Sequence, residues 1–221
     1  MEPDFWHDKW NKNEIGFHLS RAHPLLTCHW NRLGPASSGR VFVPLCGKTL
    51  DIHYLRDQGA DVVGAELSEH AVLAFFEEAG LEPRVSDWHA GKRFCTEGIT
   101  LFQGDIFALD RSTLGTIDAV YDRAAAIALP PALRQQYVRH VIELTGSSPQ
   151  LLITLSYDQS LMPGPPFSVD AENVKELYSQ HYRLNCLSSE EIIENEIRFR
   201  ERGLTTLTER CWHLGPTLPA T

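Results

Sequence analysis

The amino-acid sequence predicts an α/β fold in which a doubly wound, mostly parallel sheet of seven strands ends in an antiparallel strand. Short apolar runs of strand length alternate with patterns of helical period, and glycine or proline residues separate them. The segment before the last run carries no clear crossover helix, which favours an antiparallel final strand. We expect a single domain, residues 1–221, with an N-terminal helical and aromatic segment at 1–38 that covers a ligand site and an α/β core at 39–221.

The first predicted strand, residues 41–45, is followed by Gly47 and passes directly into a helical pattern that closes at Gly59. A glycine here lets the backbone approach a ligand, and the helix N-terminus beyond it offers free N–H groups. The second predicted strand ends in Glu66, and an acid about 20 residues after such a glycine holds ribose hydroxyls in dinucleotide-binding folds. The combination predicts a ribose site. The alternative is a plain βαβ unit in which Gly47 only makes a turn and Glu66 is a solvated strand end.

The third predicted strand, residues 99–102, leads to a second candidate acid. A helix capped by Ser68 and stopped by Gly80 precedes it, and residues 81–97 between them have no clear period and are predicted as a loop. Asp105 follows the strand, where the carboxyl ends of parallel strands gather ligands. It is a candidate for binding an adenine or its exocyclic amine, and the alternative is that it caps the turn that follows.

The fourth predicted strand, residues 116–121, ends in the opposite charges of Asp122 and Arg123. Charged groups at the end of a core strand need a partner or water. The pair could serve a charged ligand, or it could form a structural salt bridge.

The second half of the chain continues the alternation of strands and helices. A helix opens at Pro130 and ends at Gly146, and Asp170 is predicted to cap another. The loop at 162–167 holds three prolines and a glycine, which makes it a stiff wall for a pocket. The remaining predicted strands are residues 151–155, 182–187 and 204–212.

Composition argues against several classes of partner. A net charge of −9 repels phosphate backbones, so we expect no nucleic acid. The five cysteines are scattered without C-x-x-C spacing, which indicates reduced thiols and predicts neither disulfides nor a metal site. No stretch approaches ~18 apolar residues, and the N-terminus lacks a signal-peptide pattern. We therefore expect a cytoplasmic protein that does not bind a membrane.

Several stretches together carry a family resemblance. They are residues 43–48 (VPLCGK), 62–69 (VVGAELSE), 121–125 (YDRAA), 156–158 (SYD) and 163–167 (PGPPF), with 5–10 (FWHDKW) and 198–203 (RFRERG) also fitting. The sequence resembles the bacterial thiopurine S-methyltransferases over nearly its whole length. The resemblance implies a Rossmann-like class I methyltransferase fold that uses S-adenosyl-L-methionine. A single glycine stands where many methyltransferases have G-x-G-x-G, which fits this family.

The resemblance also implies roles for individual residues. The implied cofactor-binding residues are Trp10, Leu45, Gly47, Glu66, Asp105, Ile106 and Arg123. The implied substrate-binding residues are Phe17, His18 and Arg198, and the implied catalytic residues are Asp122, Arg123 and Arg198. Asp105 departs from the residue that vertebrate members carry at this position.

The chemistry that the resemblance implies is methyl transfer to the sulfur of aromatic or heterocyclic thiols such as 6-mercaptopurine, with S-adenosylhomocysteine as product. Such a thiol is substantially deprotonated near neutral pH, so a strong general base is unnecessary. The site must instead align the reacting atoms, a contribution of up to about 7–11 kcal/mol. A dry pocket also favours the transition state, because thiolate and sulfonium neutralise one another. We expect a monomer that binds a small thiol.

Three alternatives compete with this reading. The same pocket could methylate selenium or tellurium compounds, a role in tellurite or selenium resistance, or another small thiol. An NAD(P)-dependent oxidoreductase shares the strand, turn and acid, but the sequence lacks G-x-G-x-x-G and a Tyr-x-x-x-Lys motif. A module that binds the cofactor without catalysis is the third alternative.

Overall fold

The computed structural model describes residues 3–12 and 18–217. The chain divides into two compact units, Met1–Tyr121 and Asp122–Thr221. The first unit contains helices α1 (Pro3–Asn11), α2 (Pro24–His29), α3 (Asp51–Asp57), α4 (Glu69–Glu78) and α5 (Arg111–Leu114). Its strands are β1 (Arg40–Pro44), β2 (Asp61–Glu66), β3 (Arg84–Trp88), β4 (Gly91–Thr96), β5 (Ile99–Gly104) and the start of β6 (Ala119–Arg123). The prediction of a single domain over residues 1–221 stays a prediction.

The second unit begins at the end of β6. Its helices are α6 (Pro131–Thr145), α7 (Ala171–Tyr178) and α8 (Ile197–Arg200), and its further strands are β7 (Gln150–Ser156), β8 (Tyr182–Glu191) and β9 (Thr208–Pro216). Short 3-10 helices lie at Trp30–Ser38, Ile106–Ala108, Ala126–Ala128 and Ile193–Asn195.

The predicted parallel core and antiparallel last strand are both present, and antiparallel pairing is more extensive than predicted. In the first unit β1 pairs in parallel with β2 and β6, and β2 pairs in parallel with β5. In the second unit β9 lies between β7 and β8 and is antiparallel to both. The parallel register sets Glu66 beside Gln103, so the carboxyl ends of β2 and β5 are level with each other. This is the edge at which parallel sheets bind ligands.

The segment at 81–97 corrects the sequence prediction. The described residues contain nine strands where seven were predicted, and the two additional ones, β3 and β4, form an antiparallel hairpin on β5. The predicted loop was wrong because this hairpin gives no apolar alternation to read. Nearly all of β3 is exposed, and β4 buries only Phe94 among its side chains.

Most predicted helix ends are confirmed. Ser68 Oγ accepts a hydrogen bond from the N–H of Ala71 at 3.3 Å and caps α4. Asp170 forms a reciprocal capping box with Asn173 at the start of α7. The helix expected after Pro130 is α6, and it stops at Gly146 in the left-handed conformation that a glycine tolerates.

The segment that precedes β1 is fixed to the first unit through a buried acid. The carboxylate of Asp51, at the start of α3, accepts hydrogen bonds from the N–H of His23 at 2.7 Å and the hydroxyl of Tyr121 at 3.0 Å. Trp30 is fully buried with its ring edge-on to Tyr121. One buried side chain thus joins the N-terminal segment, α3 and β6. Among the residues described, no helix has the length and apolar character needed to cross a membrane.

Gly64→Ala tests the packing of β2 against a side chain of β5 and the turn after β1. An added Cβ would lie 2.6 Å from a methyl carbon of Leu101 and 2.8 Å from the sulfur of Cys46, closer than packed atoms allow. We expect the free energy of unfolding to fall by about 1–3 kcal/mol in urea titrations, the usual cost of overpacking. Gly215→Ala on β9 is the matched control, since its nearest neighbour would be 3.9 Å away, and we expect a change within about 0.5 kcal/mol. Equal changes in the two variants would contradict this account of Gly64.

Candidate active site

The carboxylate of Glu66 joins the two turns at the ends of β1 and β2. One oxygen accepts a hydrogen bond from the N–H of Gly47 at 2.8 Å, and the other accepts from the N–H of Ser68 at 2.7 Å. Glu66 is buried, and its burial raises the pKa of the carboxyl against the opposing effect of the N–H donors. A solvated strand end is therefore the wrong description of Glu66. A carboxylate offers about four acceptor sites, more than these N–H groups use, so the group fits the hydroxyl donors of a ribose.

The turn after β1 has an unusual backbone. Leu45 has a φ of 46° and Gly47 a φ of 55°, both in the left-handed region. For leucine this conformation costs on the order of 1–3 kcal/mol and persists only where the surroundings impose it. Here the buried Cys46 donates its N–H to the carbonyl of Ala65 at 3.0 Å. Strained backbone of this kind is concentrated at ligand sites. The contact of Leu45 with the cofactor stays a prediction.

The segment after β5 contains the acid predicted at the adenine. Asp105 is exposed, and its carboxylate accepts a hydrogen bond from the N–H of Phe107 at 3.0 Å. Of the two readings left open by the sequence, the turn cap is the one observed, and binding of the adenine stays a prediction. Ile106 beside it is buried. The side-chain amide of Gln103 donates to the carbonyl of Leu67 at 3.0 Å and links this segment to the turn after β2.

The N-terminal candidates have different outcomes. Trp10 lies on α1, which contacts α4, and is 4% exposed. His18 is half-buried. Phe17 lies outside the described residues. The contacts of these residues with cofactor or substrate stay predictions.

In the second unit Asp122 is a second buried acid. One carboxylate oxygen accepts a hydrogen bond from the hydroxyl of Tyr137 at 2.7 Å, and the other accepts from the N–H of Ala126 at 3.1 Å. Burial raises the pKa of Asp122 to about 6, and the hydrogen bonds partly oppose this rise. The half-buried Arg123 follows, and then Ala124 with a φ of 61°. The carboxylate of Asp122 therefore holds the tight turn at residues 122–126, which contains Arg123.

Two residues of α6 that sequence reasoning missed fix the same turn. Arg134 is 3% exposed, and its guanidinium donates to the carbonyl oxygens of Ala126 at 2.9 Å and Leu129 at 3.0 Å. Burial lowers the pKa of Arg134. Tyr137 binds Asp122 from the next turn of the same helix face. An arginine within the apolar stripe of α6 was the signal available in the sequence.

The proline-rich loop at 162–167 is held by polar contacts. The hydroxyl of Tyr157 donates to the carbonyl of Pro166 at 2.5 Å, and the amide of Gln159 donates to the carbonyl of Met162 at 2.6 Å. The N–H of Phe167 donates to the carbonyl of Ile127 at 2.6 Å and so joins this loop to the turn after Asp122. These contacts agree with a stiff loop.

Arg198 is exposed on the short helix α8. The segment around α8 rests on a cluster of apolar side chains, which are Tyr157, Met162, Ile193, Leu204 and Leu207. The role of Arg198 in substrate binding and catalysis stays a prediction. In the part of the chain that the structure describes, no three His, Cys, Asp or Glu side chains are grouped to hold a metal ion.

Comparison with known proteins decides the family. The family model described as "Thiopurine S-methyltransferase (TPMT)" matches residues 1–216. The chain belongs to the thiopurine S-methyltransferase family. Curated members include proteins from Teredinibacter turnerae, 46% identical over 97% of each chain, and from Xanthobacter autotrophicus, 51% identical over 82% of this chain and 86% of the relative. The predicted family is confirmed.

Solved structures confirm the fold class. A S-adenosylmethionine-dependent methyltransferase from Anabaena variabilis matches with a TM-score of 0.62 and 13% identity, covering 97% of this chain and 95% of that one. An arsenic(III) S-adenosylmethionine methyltransferase from Chlamydomonas reinhardtii matches with a TM-score of 0.57 and 17% identity, covering 85% and 67%. The chain is a S-adenosyl-L-methionine-dependent methyltransferase with a Rossmann-like α/β fold.

Asp122→Asn tests the burial of this carboxyl in a thiopurine S-methyltransferase family member. The pKa of Asp122 is about 6 in the folded chain and about 3.8 when unfolded, so its contribution to stability falls as pH rises through this window. The stability of the variant relative to wild type should therefore rise by about 1–1.5 kcal/mol from pH 5 to pH 8 in urea unfolding.

Asp110→Asn is the control for this measurement. The pKa of Asp110 is about 2, because Ser112 and Thr113 donate hydrogen bonds to it, so Asp110 is ionised in both states above pH 5. The stability of Asp110→Asn relative to wild type should therefore not change between pH 5 and pH 8. A flat profile for Asp122→Asn as well would show that the carboxyl is not shielded from water.

Proposed function

We propose that this methyltransferase acts on the sulfur of small aromatic or heterocyclic thiols, with 6-mercaptopurine as the test substrate. The match to the thiopurine S-methyltransferase family over residues 1–216 carries the proposal. Relatives 43–51% identical bear the same family name. The methylation itself follows from the family, and the proposal concerns the acceptor.

The cofactor side of the proposal rests on the first unit. Glu66 is proposed to accept hydrogen bonds from the ribose hydroxyls through its free lone pairs. The strained turn at Leu45 and Gly47 is proposed to bring backbone close to the cofactor. Asp105 and Ile106 are proposed to contact the adenine, and Trp10 to pack against the cofactor. When bound, S-adenosyl-L-methionine supplies an electrophilic methyl group.

The acceptor side of the proposal rests on the second unit. Arg123 and Arg198 are proposed to stabilise the negative charge of a heterocyclic thiolate, and Arg123 also to contact the cofactor. Asp122 is proposed to act mainly by holding the Arg123 turn, since Tyr137 and Ala126 already donate to its two oxygens. Asp122 is also proposed to accept, on a remaining lone pair of its carboxylate, any proton that the substrate retains.

For catalysis, exclusion of water from the substrate pocket is proposed to matter more than a general base. Thiolate and sulfonium lose their charges together during transfer, so exclusion of water favours the reaction. Phe17, His18 and the loop at 162–167 are proposed to enclose the acceptor. The loop is suited to this because Tyr157 and Gln159 fix its carbonyl groups.

Calorimetric titration with S-adenosylhomocysteine, beside transfer of labelled methyl from S-adenosyl-L-methionine to 6-mercaptopurine, tests the proposed function. We expect micromolar binding and methyl transfer to sulfur. Binding without transfer would remove the proposed thiopurine acceptor and favour selenium or tellurium compounds or another thiol. A melting temperature that rises with NAD(P) but not with S-adenosylhomocysteine would favour the oxidoreductase alternative. Cytoplasmic location and a monomeric state are further predictions.

Arg198→Ala tests the proposed substrate arginine. We expect methyl transfer to fall more than about tenfold, the effect of losing a charge-assisted contact, while the affinity for S-adenosylhomocysteine is unchanged. Arg200→Ala is the matched control, because Arg200 lies on the same short helix, is exposed and pairs with Glu194 at 3.5 Å. Its turnover should stay within about twofold of wild type, as expected for a surface ion pair. Normal turnover by Arg198→Ala would remove Arg198 from the site.

A further inference from the structure

The tip of the β3–β4 hairpin lies directly against the end of β5. Gly91 pairs with Gly104 in the antiparallel register. A Cβ on Gly91 would lie 2.0 Å from the carbonyl oxygen of Gln103, and a Cβ on Gly104 would lie 2.6 Å from the carbonyl oxygen of Ala90. Both backbones therefore approach more closely than any side chain allows. The hairpin tip is therefore packed directly on the segment that leads out of β5.

Two side chains of the hairpin tip reinforce this approach. The indole N–H of Trp88 donates to the carbonyl oxygen of Gln103 at 2.9 Å. His89 donates from Nε2 to the carbonyl oxygen of Ala108, also at 2.9 Å. The ring of Trp88 also packs edge-on to Phe102, with centroids 5.6 Å apart. The two accepting carbonyls flank residues 104–107.

We propose that the β3–β4 hairpin positions the adenine end of the cofactor site, with Trp88 and His89 as positioning residues. This inference rests on the proposed function, which assigns the adenine to Asp105 and Ile106. Those two residues lie between the carbonyls that Trp88 and His89 hold. Neither side chain needs to touch the cofactor. Their effect passes through the backbone of the segment that reads the base.

The same segment is tied to the ribose end of the site. Gln103, whose carbonyl accepts from Trp88, donates its side-chain amide to the carbonyl of Leu67. Leu67 directly follows Glu66, so one residue connects the hairpin, the adenine segment and the ribose turn. The Lys92–Glu69 ion pair between β4 and α4, at 2.6 Å, is nearly half exposed and contributes little. The close backbone approach at the hairpin tip, together with the hydrogen bond of Trp88, is therefore the contact that sets the position.

Positioning and simple stabilisation predict different ligand selectivity. A segment that reads the 6-amino group of adenine must hold its acceptors within the narrow geometry of a hydrogen bond. A small displacement weakens that one contact and leaves contacts with the ribose and the amino-acid tail intact. A loss of folded protein instead weakens binding of every ligand by the same factor.

Trp88→Phe separates these cases, because it keeps an aromatic ring at this position and removes the N–H donor together with the pyrrole ring that carries it. The probes are S-adenosylhomocysteine and S-inosylhomocysteine, in which an oxo group replaces the 6-amino group. We expect the Kd for S-adenosylhomocysteine to rise about threefold to tenfold, as for one lost hydrogen bond, and the Kd for S-inosylhomocysteine to change less than about twofold. The KM for S-adenosyl-L-methionine should rise in parallel while kcat stays within about twofold.

Trp212→Phe is the matched control. The indole N–H of Trp212, on β9, donates to the hydroxyl of Thr154, on β7, at 3.1 Å. The variant loses the same kind of bond in the second unit, and the ratio of the two Kd values should not change. His89→Ala is the second variant, because an exposed residue can be replaced without unfolding the chain. Like Trp88→Phe, it should lower the selectivity ratio, which is the Kd for S-inosylhomocysteine divided by the Kd for S-adenosylhomocysteine.

The outcomes separate this inference from the proposed function. A wild-type chain that binds S-adenosylhomocysteine, with Trp88→Phe and His89→Ala both keeping its selectivity ratio, would overturn the role of the hairpin alone. Equal weakening of both probes would also overturn it, since that is the signature of lost stability. A wild-type chain that binds neither probe would overturn the proposed cofactor site and this inference with it.

Discussion

The buried carboxylate of Glu66 is the interaction on which the first unit most depends. An ionised acid removed from water is costly unless hydrogen bonds replace its hydration. Two backbone N–H groups, from Gly47 and Ser68, provide this replacement, and each belongs to a different turn. Ser68 also caps α4, so the charge organises the end of β1, the end of β2 and the start of the next helix. A carboxylate held by two turns is already in place for a ligand that offers hydroxyl donors.

The second unit solves a similar problem in a different way. Asp122 is also a buried acid at the end of a strand, but it accepts from one backbone N–H and one phenol. Arg134 contributes from the same helix by holding two carbonyl groups of the following turn. Backbone N–H groups thus hold Glu66, at the proposed ribose site, whereas side chains of α6 hold Asp122 and the turn that follows it. Substitutions of Arg134 or Tyr137 on α6 are therefore expected to change the turn that follows Asp122.

Local signals explain which parts of the fold the sequence predicts. Ser68, Gly146 and Asp170 act within a few residues of themselves, so their roles as helix ends could be read directly. The β3–β4 hairpin was missed because an exposed edge strand has no apolar period. Arg134 was missed because its burial depends on carbonyl groups that only the folded chain brings within reach. For Asp105 the sequence left two interpretations open, a cap on the following turn and a contact with adenine. Both use the same carboxylate, so the sequence does not distinguish them, and the structure shows the cap.

The left-handed conformation of Leu45 sets stability against ligand contact at one position. Glycine or asparagine would adopt this backbone with less strain, so leucine is a costly residue here. A protein engineer seeking a more heat-resistant enzyme would be drawn to this position, since relief of backbone strain is a common source of stabilisation. That exchange would also delete the apolar side chain two residues before Gly47, at the turn proposed to meet the cofactor. Thermal tolerance gained at position 45 is therefore expected to come with weaker use of the methyl donor.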